Sequence, residues 1–96
     1  MKAKIIYHQK AEIHDRYILE LTIHEVGKSS RYPDGIKYSL IFFDKRTSKK
    51  ILMDNHHPKG HHFHIGENEF VYSYVNDEKL IEDFYNLIFD NTGIRI

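Results

Sequence analysis

Ten residues near the amino terminus, YILELTIHEV at positions 17–26, constrain the fold most. Tyr17, Leu19, Leu21 and Ile23 alternate with Ile18, Glu20, Thr22 and His24. Side chains of an extended chain point to opposite faces in turn, so this period of two predicts a strand with one apolar face. Such a strand needs partners and a cover. AKIIYHQKAEI, residues 3–13, is a candidate partner, joined to it by a turn at His14-Asp15-Arg16. Residues 27–35 hold Gly, Ser, Pro and the Asp34-Gly35 pair, which predict a loop. IKYSLIFFD follows and is apolar on both faces from Leu40 to Phe43, as expected of a central strand. DKRTSKK turns the chain into KILMDN, and EFVYSYV supplies a further strand. In that last segment Tyr72 and Tyr74 alternate with Val71 and Val75, and both are expected to be amphipathic sheet residues.

Only the end of the chain carries a helical period. Asn76 suits an N-cap, with Asp77 and Glu78 beside the positive end of the helix dipole. Leu80, Phe84, Leu87 and Ile88 follow at helical spacing, Ile81 and Tyr85 widen the stripe, and Gly93 is a natural stop. The expected architecture is α+β: an antiparallel sheet of about five strands with one carboxy-terminal helix packed on it. Residues 1–96 form a single domain, because a chain this short rarely supports two independent cores.

Several classes of function fall away. With no cysteine in the chain, disulfides and thiolate metal sites are excluded. No apolar run approaches the roughly 20 residues that a bilayer-spanning helix needs. MKAKIIYHQKAEIH lacks the apolar stretch and small-residue cleavage site of a signal peptide, so a cytoplasmic location with no membrane partner is expected. There is no Walker pattern and no phosphate-cradling Gly-rich loop, and no serine lies in a nucleophile elbow.

The net charge of zero conceals an asymmetry. Residues 28–59 carry eight basic and three acidic side chains, whereas residues 67–96 carry two basic and seven acidic. The basic stretch includes Lys37, Lys45, Arg46, Lys49 and Lys50, candidates for a polyanion-binding face of the kind that holds a nucleic-acid backbone. The same asymmetry also suits two surfaces that attract each other within the fold.

Five of the eight histidines fall within nine positions of DNHHPKGHHFHIG, residues 54–66. Read as extended chain, His62 and His64 share one face, while His61, Phe63 and Ile65 share the other. Phe63 and Ile65 seek the core, which leaves His62 and His64 pointing together into solvent or a cleft. Asp54 ends an apolar strand and lies nearby if the intervening loop folds back. Pro58 and Gly60 bracket Lys59 in that loop, where the backbone could approach a ligand closely. Three readings compete. His62, His64 and Asp54 match the first shell of a divalent metal site. Alternatively, two imidazoles divide the base and acid roles of metal-free phosphodiester chemistry, with Lys59 stabilising the charge that develops. The third reading is a solvated loop without chemistry. His24-Glu25 at a strand end could join a site, and His8 and His14 look like surface positions.

The order of these features resembles the TumE family of toxin–antitoxin proteins. That family pairs a long hairpin with a strand opened by G-x-K-Y, here Gly35-Ile36-Lys37-Tyr38. Its D-N-x-x-G-K-G-x-H-x-H-I-G segment is matched by Asp54-Asn55, Lys59-Gly60, His62 and His64-Ile65-Gly66. An acidic residue, an aromatic strand and a closing helix with L-x-x-D-F follow, here Tyr72, Tyr74 and Leu80 to Phe84. The resemblance spans about residues 3–90. Pro58 departs from the family glycine, Tyr74 replaces a phenylalanine, and His56, His57 and His61 lie outside the pattern.

The resemblance implies a toxin restrained by a cognate antitoxin, which is often a helix-turn-helix DNA-binding protein. It favours an RNA endonuclease with catalytic His62, His64, Lys59 and Asp54, and no cofactor, with a divalent metal ion as the alternative. A non-enzymatic module that occludes a partner is the other function class, and a homo-oligomer is compatible with either.

Overall fold

The computed structural model describes residues 3–96. Six strands run in chain order: β1 (Lys4–Ile13), β2 (Tyr17–Glu25), β3 (Ile36–Asp44), β4 (Lys50–Asp54), β5 (His62–Ile65) and β6 (Asn68–Val71). Each pairs antiparallel with the next, so spatial order equals sequence order, and helix α1 (Asp77–Thr92) follows. The α+β architecture agrees with the sequence reading, with one strand more than expected. The addition is β5, the extended H-x-H segment itself. It closes onto β6 through a two-residue turn in which Gly66 has φ +60, the left-handed position that type II′ hairpins give to glycine.

The alternation in β2 places Leu19, Leu21 and Ile23 fully inside. Cross-strand pairing sets them beside Phe42, Leu40 and Tyr38 of β3, and Leu40 and Phe42 beside Met53 and Ile51 of β4. Leu80, Phe84 and Ile88 of α1 cover this face, and none of the three is exposed to solvent. Each such fully buried side chain stabilises the fold by roughly 1.5–3 kcal/mol relative to exposure. The helix starts where expected. The Asn76 side chain accepts the Lys79 N–H at 2.7 Å, and α1 stops at Gly93, whose N–H returns to the Phe89 carbonyl at 2.8 Å.

The sheet's other face carries no helix among the described residues. Its cross-strand rows follow from the register: His8, Thr22, Ser39, Asp54, His62 and Val71 form one, and Lys10, Glu20, Ile41, Leu52, His64 and Glu69 the next. β3 is central, as expected, but only one of its apolar faces is covered by the helix. Ile41 and Phe43 on the other face are half-buried among their sheet neighbours.

One sequence expectation needs correction. Strand β6 ends at Val71, so Tyr72 and Tyr74 are not sheet residues. Both rings pack against the core, and their hydroxyls donate to Asp83 and Asp77 of α1 at 2.7 Å each. These bonds tie the connection to the helix it leads into. Among the described residues no helix is long and apolar enough to cross a membrane.

Two polar anchors hold the sheet ends. Arg16 donates twice to Asp44, at 3.0 and 2.9 Å, joining the β1–β2 turn to the end of β3. The guanidinium, aided by N–H groups of the following turn, holds the Asp44 carboxyl well below the usual carboxylate range. Asn55, buried just past β4, replaces a strand with its side chain. Its Oδ1 accepts the Tyr38 N–H and its Nδ2 donates to the Ile36 carbonyl, both at 2.9 Å.

Candidate functional site

The ladder between β4 and β5 makes Asp54 and His62 direct partners, and the ladder between β5 and β6 does the same for His64 and Glu69. Period-two geometry then gathers Asp54, His62, His64 and Glu69 on the face that the helix leaves uncovered. The His62 and His64 rings meet edge to face, with centroids 4.9 Å apart.

His62 is held on both nitrogens. Its Nδ1 lies 2.7 Å from the Gly60 carbonyl, and its Nε2 lies 3.2 Å from Asp54 Oδ1. Gly60 sits at φ +73, a left-handed conformation that a glycine takes without steric cost, and its carbonyl is the one aimed at the ring. Asp54 Oδ1 also accepts the His56 N–H at 3.1 Å, which fixes the carboxylate at the start of the loop. A carbonyl oxygen can only accept, so Nδ1 carries a proton and Nε2 is the atom available for chemistry. The two rings share the uncovered face as expected, but His62 is only 6% exposed and so lies against the cleft wall rather than in solvent. The physical reason is the return of residues 55–61, whose backbone closes over Nδ1 while the β4 carboxylate closes over Nε2.

His64 is 24% exposed, and its Nε2 lies 3.4 Å from Glu69 Oε1. The same oxygen accepts from Lys59 Nζ at 2.7 Å. That contact pushes the Lys59 ammonium above its ordinary value and the Glu69 carboxyl below its own. Lys59 therefore reaches the site through Glu69, an acidic residue absent from the candidate set drawn from the sequence. The signal that could have found it is the Gly66-Glu67 turn, which sets residue 69 opposite residue 64.

The five basic residues suggested for RNA do not converge. Lys37 lies on the uncovered face, one cross-strand row from Ser39 and Asp54. With Thr22, His24, Tyr38 and Ser39 it lines a groove of about 280 Å³. Lys45, Arg46 and Lys49 sit in or beside the β3–β4 turn, and Lys45 is paired with Glu12 at 2.8 Å. Lys50 opens β4 opposite Phe43, four residues along the strand from Asp54.

His61 takes a place that sequence clustering did not suggest. It turns to the helix side, where its Nδ1 meets the Tyr38 hydroxyl at 2.9 Å and its Nε2 meets Asp34 at 2.8 Å. Its ring stacks on Tyr74 with centroids 4.9 Å apart. Burial pushes the Tyr38 hydroxyl far above its ordinary value, so it stays a neutral donor to the ring. This network ties the 27–35 loop to β5. His56 and His57 are exposed.

The uncovered face thus holds two imidazoles, two carboxylates and an ammonium within a single cluster. Such a set can move protons, bind a phosphoryl group or hold a metal ion. No curated protein and no solved structure matches this chain. A family model described as Toxin TumE matches residues 2–91, nearly the whole length. The chain belongs to the Toxin TumE family.

Proposed function

We propose that this chain is the toxin of a toxin–antitoxin pair and that it cleaves RNA without a metal ion, using His62 and His64 as acid and base. Membership of a toxin family gives the toxin role and implies a cognate antitoxin as partner. A helix-turn-helix DNA-binding protein is the antitoxin proposed here, and the cytoplasm the place of action. The observation that carries the chemistry is the edge-to-face pair of imidazoles, one of them pinned between Gly60 and Asp54.

In the proposed reaction the ribose 2′-OH attacks the adjacent phosphorus and the 5′-oxygen leaves, giving a 2′,3′-cyclic phosphate and a 5′-hydroxyl. His64, the more exposed ring, takes the 2′-OH proton. His62, whose Nε2 faces the Asp54 carboxylate, returns a proton to the departing 5′-oxygen. Asp54 orients that ring. Lys59 exchanges Glu69 for the phosphoryl oxygens, where an ammonium stabilises the charge that develops. The groove beside Lys37 offers the RNA backbone a path toward Asp54 on the same face.

The test is RNA cleavage by tag-free protein with and without EDTA, run beside the His62→Ala variant. Cleavage that survives chelation, yields cyclic-phosphate ends and vanishes in the variant is expected. Cleavage abolished by EDTA would exclude the metal-free mechanism. Toxicity that persists in the variant would favour occlusion of a partner over catalysis.

A further inference from the structure

We propose that His62, His64 and Glu69 form a binding site for one borderline divalent cation, Zn²⁺ being the type, with Asp54, whose Oδ1 lies 3.2 Å from His62 Nε2, as the fourth donor. One donor atom from each of His62, His64 and Glu69 lies within 4.8 Å of the other two. Zinc bonds of about 2.0–2.2 Å set donors roughly 3.4 Å apart around a tetrahedron, so no separation has to close by more than about 1.4 Å. The side chains that have to move are the less buried ones, His64 at 24% and Glu69 at 44% exposed.

His62 is prepared for such a role. A metal-ligating histidine usually donates its second nitrogen to a backbone carbonyl or carboxylate, which fixes tautomer and ring orientation. The 2.7 Å contact from Nδ1 to the Gly60 carbonyl does this and leaves the Nε2 lone pair directed toward the Asp54 side of the cluster. The donors are also preorganised by backbone, because they project from paired positions on β4, β5 and β6. Two imidazoles with carboxylate oxygens suit Zn²⁺, whereas Mg²⁺ and Ca²⁺ prefer all-oxygen shells. A cation already lies against Glu69: Lys59 Nζ at 2.7 Å, on a side chain 58% exposed and able to swing away. The incoming metal ion takes that oxygen from Lys59.

The site stands on this geometry alone. Its consequence for activity rests on the proposed ribonuclease reading. A bound Zn²⁺ occupies the lone pairs of both catalytic rings, so it inhibits rather than assists, and removal of the ion restores cleavage.

The experiment is calorimetric titration of the tag-free full-length chain with Zn²⁺, compared with His64→Ala, Glu69→Gln and a His56→Ala/His57→Ala double variant. One ion per chain is expected for the parent and for the double variant. Binding at least tenfold weaker is expected for Glu69→Gln, and weaker still for His64→Ala. Glu69 is exposed and His64 half-buried, and circular dichroism confirms that the variants fold. Absence of saturable one-to-one binding would overturn the site. So would zinc binding that survives in His64→Ala but is lost with His56 and His57. RNA cleavage with added Zn²⁺ is a separate measurement. Cleavage unaffected by saturating Zn²⁺ overturns the inhibitory role, and a chain that binds zinc but never cleaves RNA overturns only the ribonuclease reading.

Discussion

Asp54 and His62 face each other across the β4–β5 ladder, with carboxylate Oδ1 and ring Nε2 3.2 Å apart. Because the loop between them returns Gly60 to the opposite ring nitrogen, His62 is gripped from both sides. His62→Ala should therefore cut the RNA-cleavage rate by about 10²-fold or more, the usual range for a lost acid–base group. Asp54→Asn should cost less, because it removes an orienting carboxylate and leaves both rings. Single-turnover cleavage of a defined RNA separates the two. Equal losses would assign Asp54 a direct role.

Asn55 predicts a stability effect with no catalytic counterpart. Its side chain serves two backbone groups of β3 in a buried position. Asn55→Ala leaves a donor and an acceptor unpaired, at roughly 1–3 kcal/mol each, so about 2–6 kcal/mol of stability should be lost. Urea denaturation measures this as a lowered midpoint with an unchanged slope. A loss below about 0.5 kcal/mol would mean that water replaces the amide.

The Arg16–Asp44 pair predicts how stability depends on acid. Asp44's carboxyl is held well below its ordinary value in the folded chain, chiefly by Arg16. Between the folded and unfolded values the unfolded chain binds the extra proton, so stability rises with pH in that window. The contribution is complete above the ordinary carboxylate value of about 4 and fades as pH falls toward the depressed folded value. Arg16→Gln should lower stability at pH 7 and flatten the acid limb below about pH 4. Thermal melts from pH 2 to pH 7 test it; an acid limb as steep as the parent's would contradict it.

Charge reversal separates the candidate RNA contacts. Lys37 lies on the site's own face, whereas Lys45 is committed to Glu12 at the β3–β4 turn. Lys37→Glu should weaken RNA binding by about tenfold or more, the value of one lost contact to a charged group. Lys45→Glu should change it much less. Filter binding at fixed salt reads both, and a larger effect at Lys45 would place the RNA track on the turn instead.

The sequence by itself determined the local structure and the face assignments. Period two in residues 17–25 fixed which side chains of β2 are buried, and helical spacing with Asn76 and Gly93 fixed α1 at both ends. Side-chain direction within an element depends only on backbone geometry, so His62 and His64 could be put on one face and His61 on the other. The family pattern separated those two histidines from their neighbours.

Only the tertiary structure decided what each group touches. Glu69 enters the cluster because a hairpin brings it opposite His64, and Asn55 matters because β3 ends where its amide can reach. Tyr72 and Tyr74 carry strand-like alternation, but the chain leaves the sheet there to enter the helix, so their hydroxyls meet Asp83 and Asp77. His61 meets Tyr38 and Asp34 through contacts 23 and 27 residues apart in sequence. The near-complete burial of His62 was equally hidden, since it depends on the loop's return. Contacts of this kind depend on loop closure and strand register, which local periodicity does not encode.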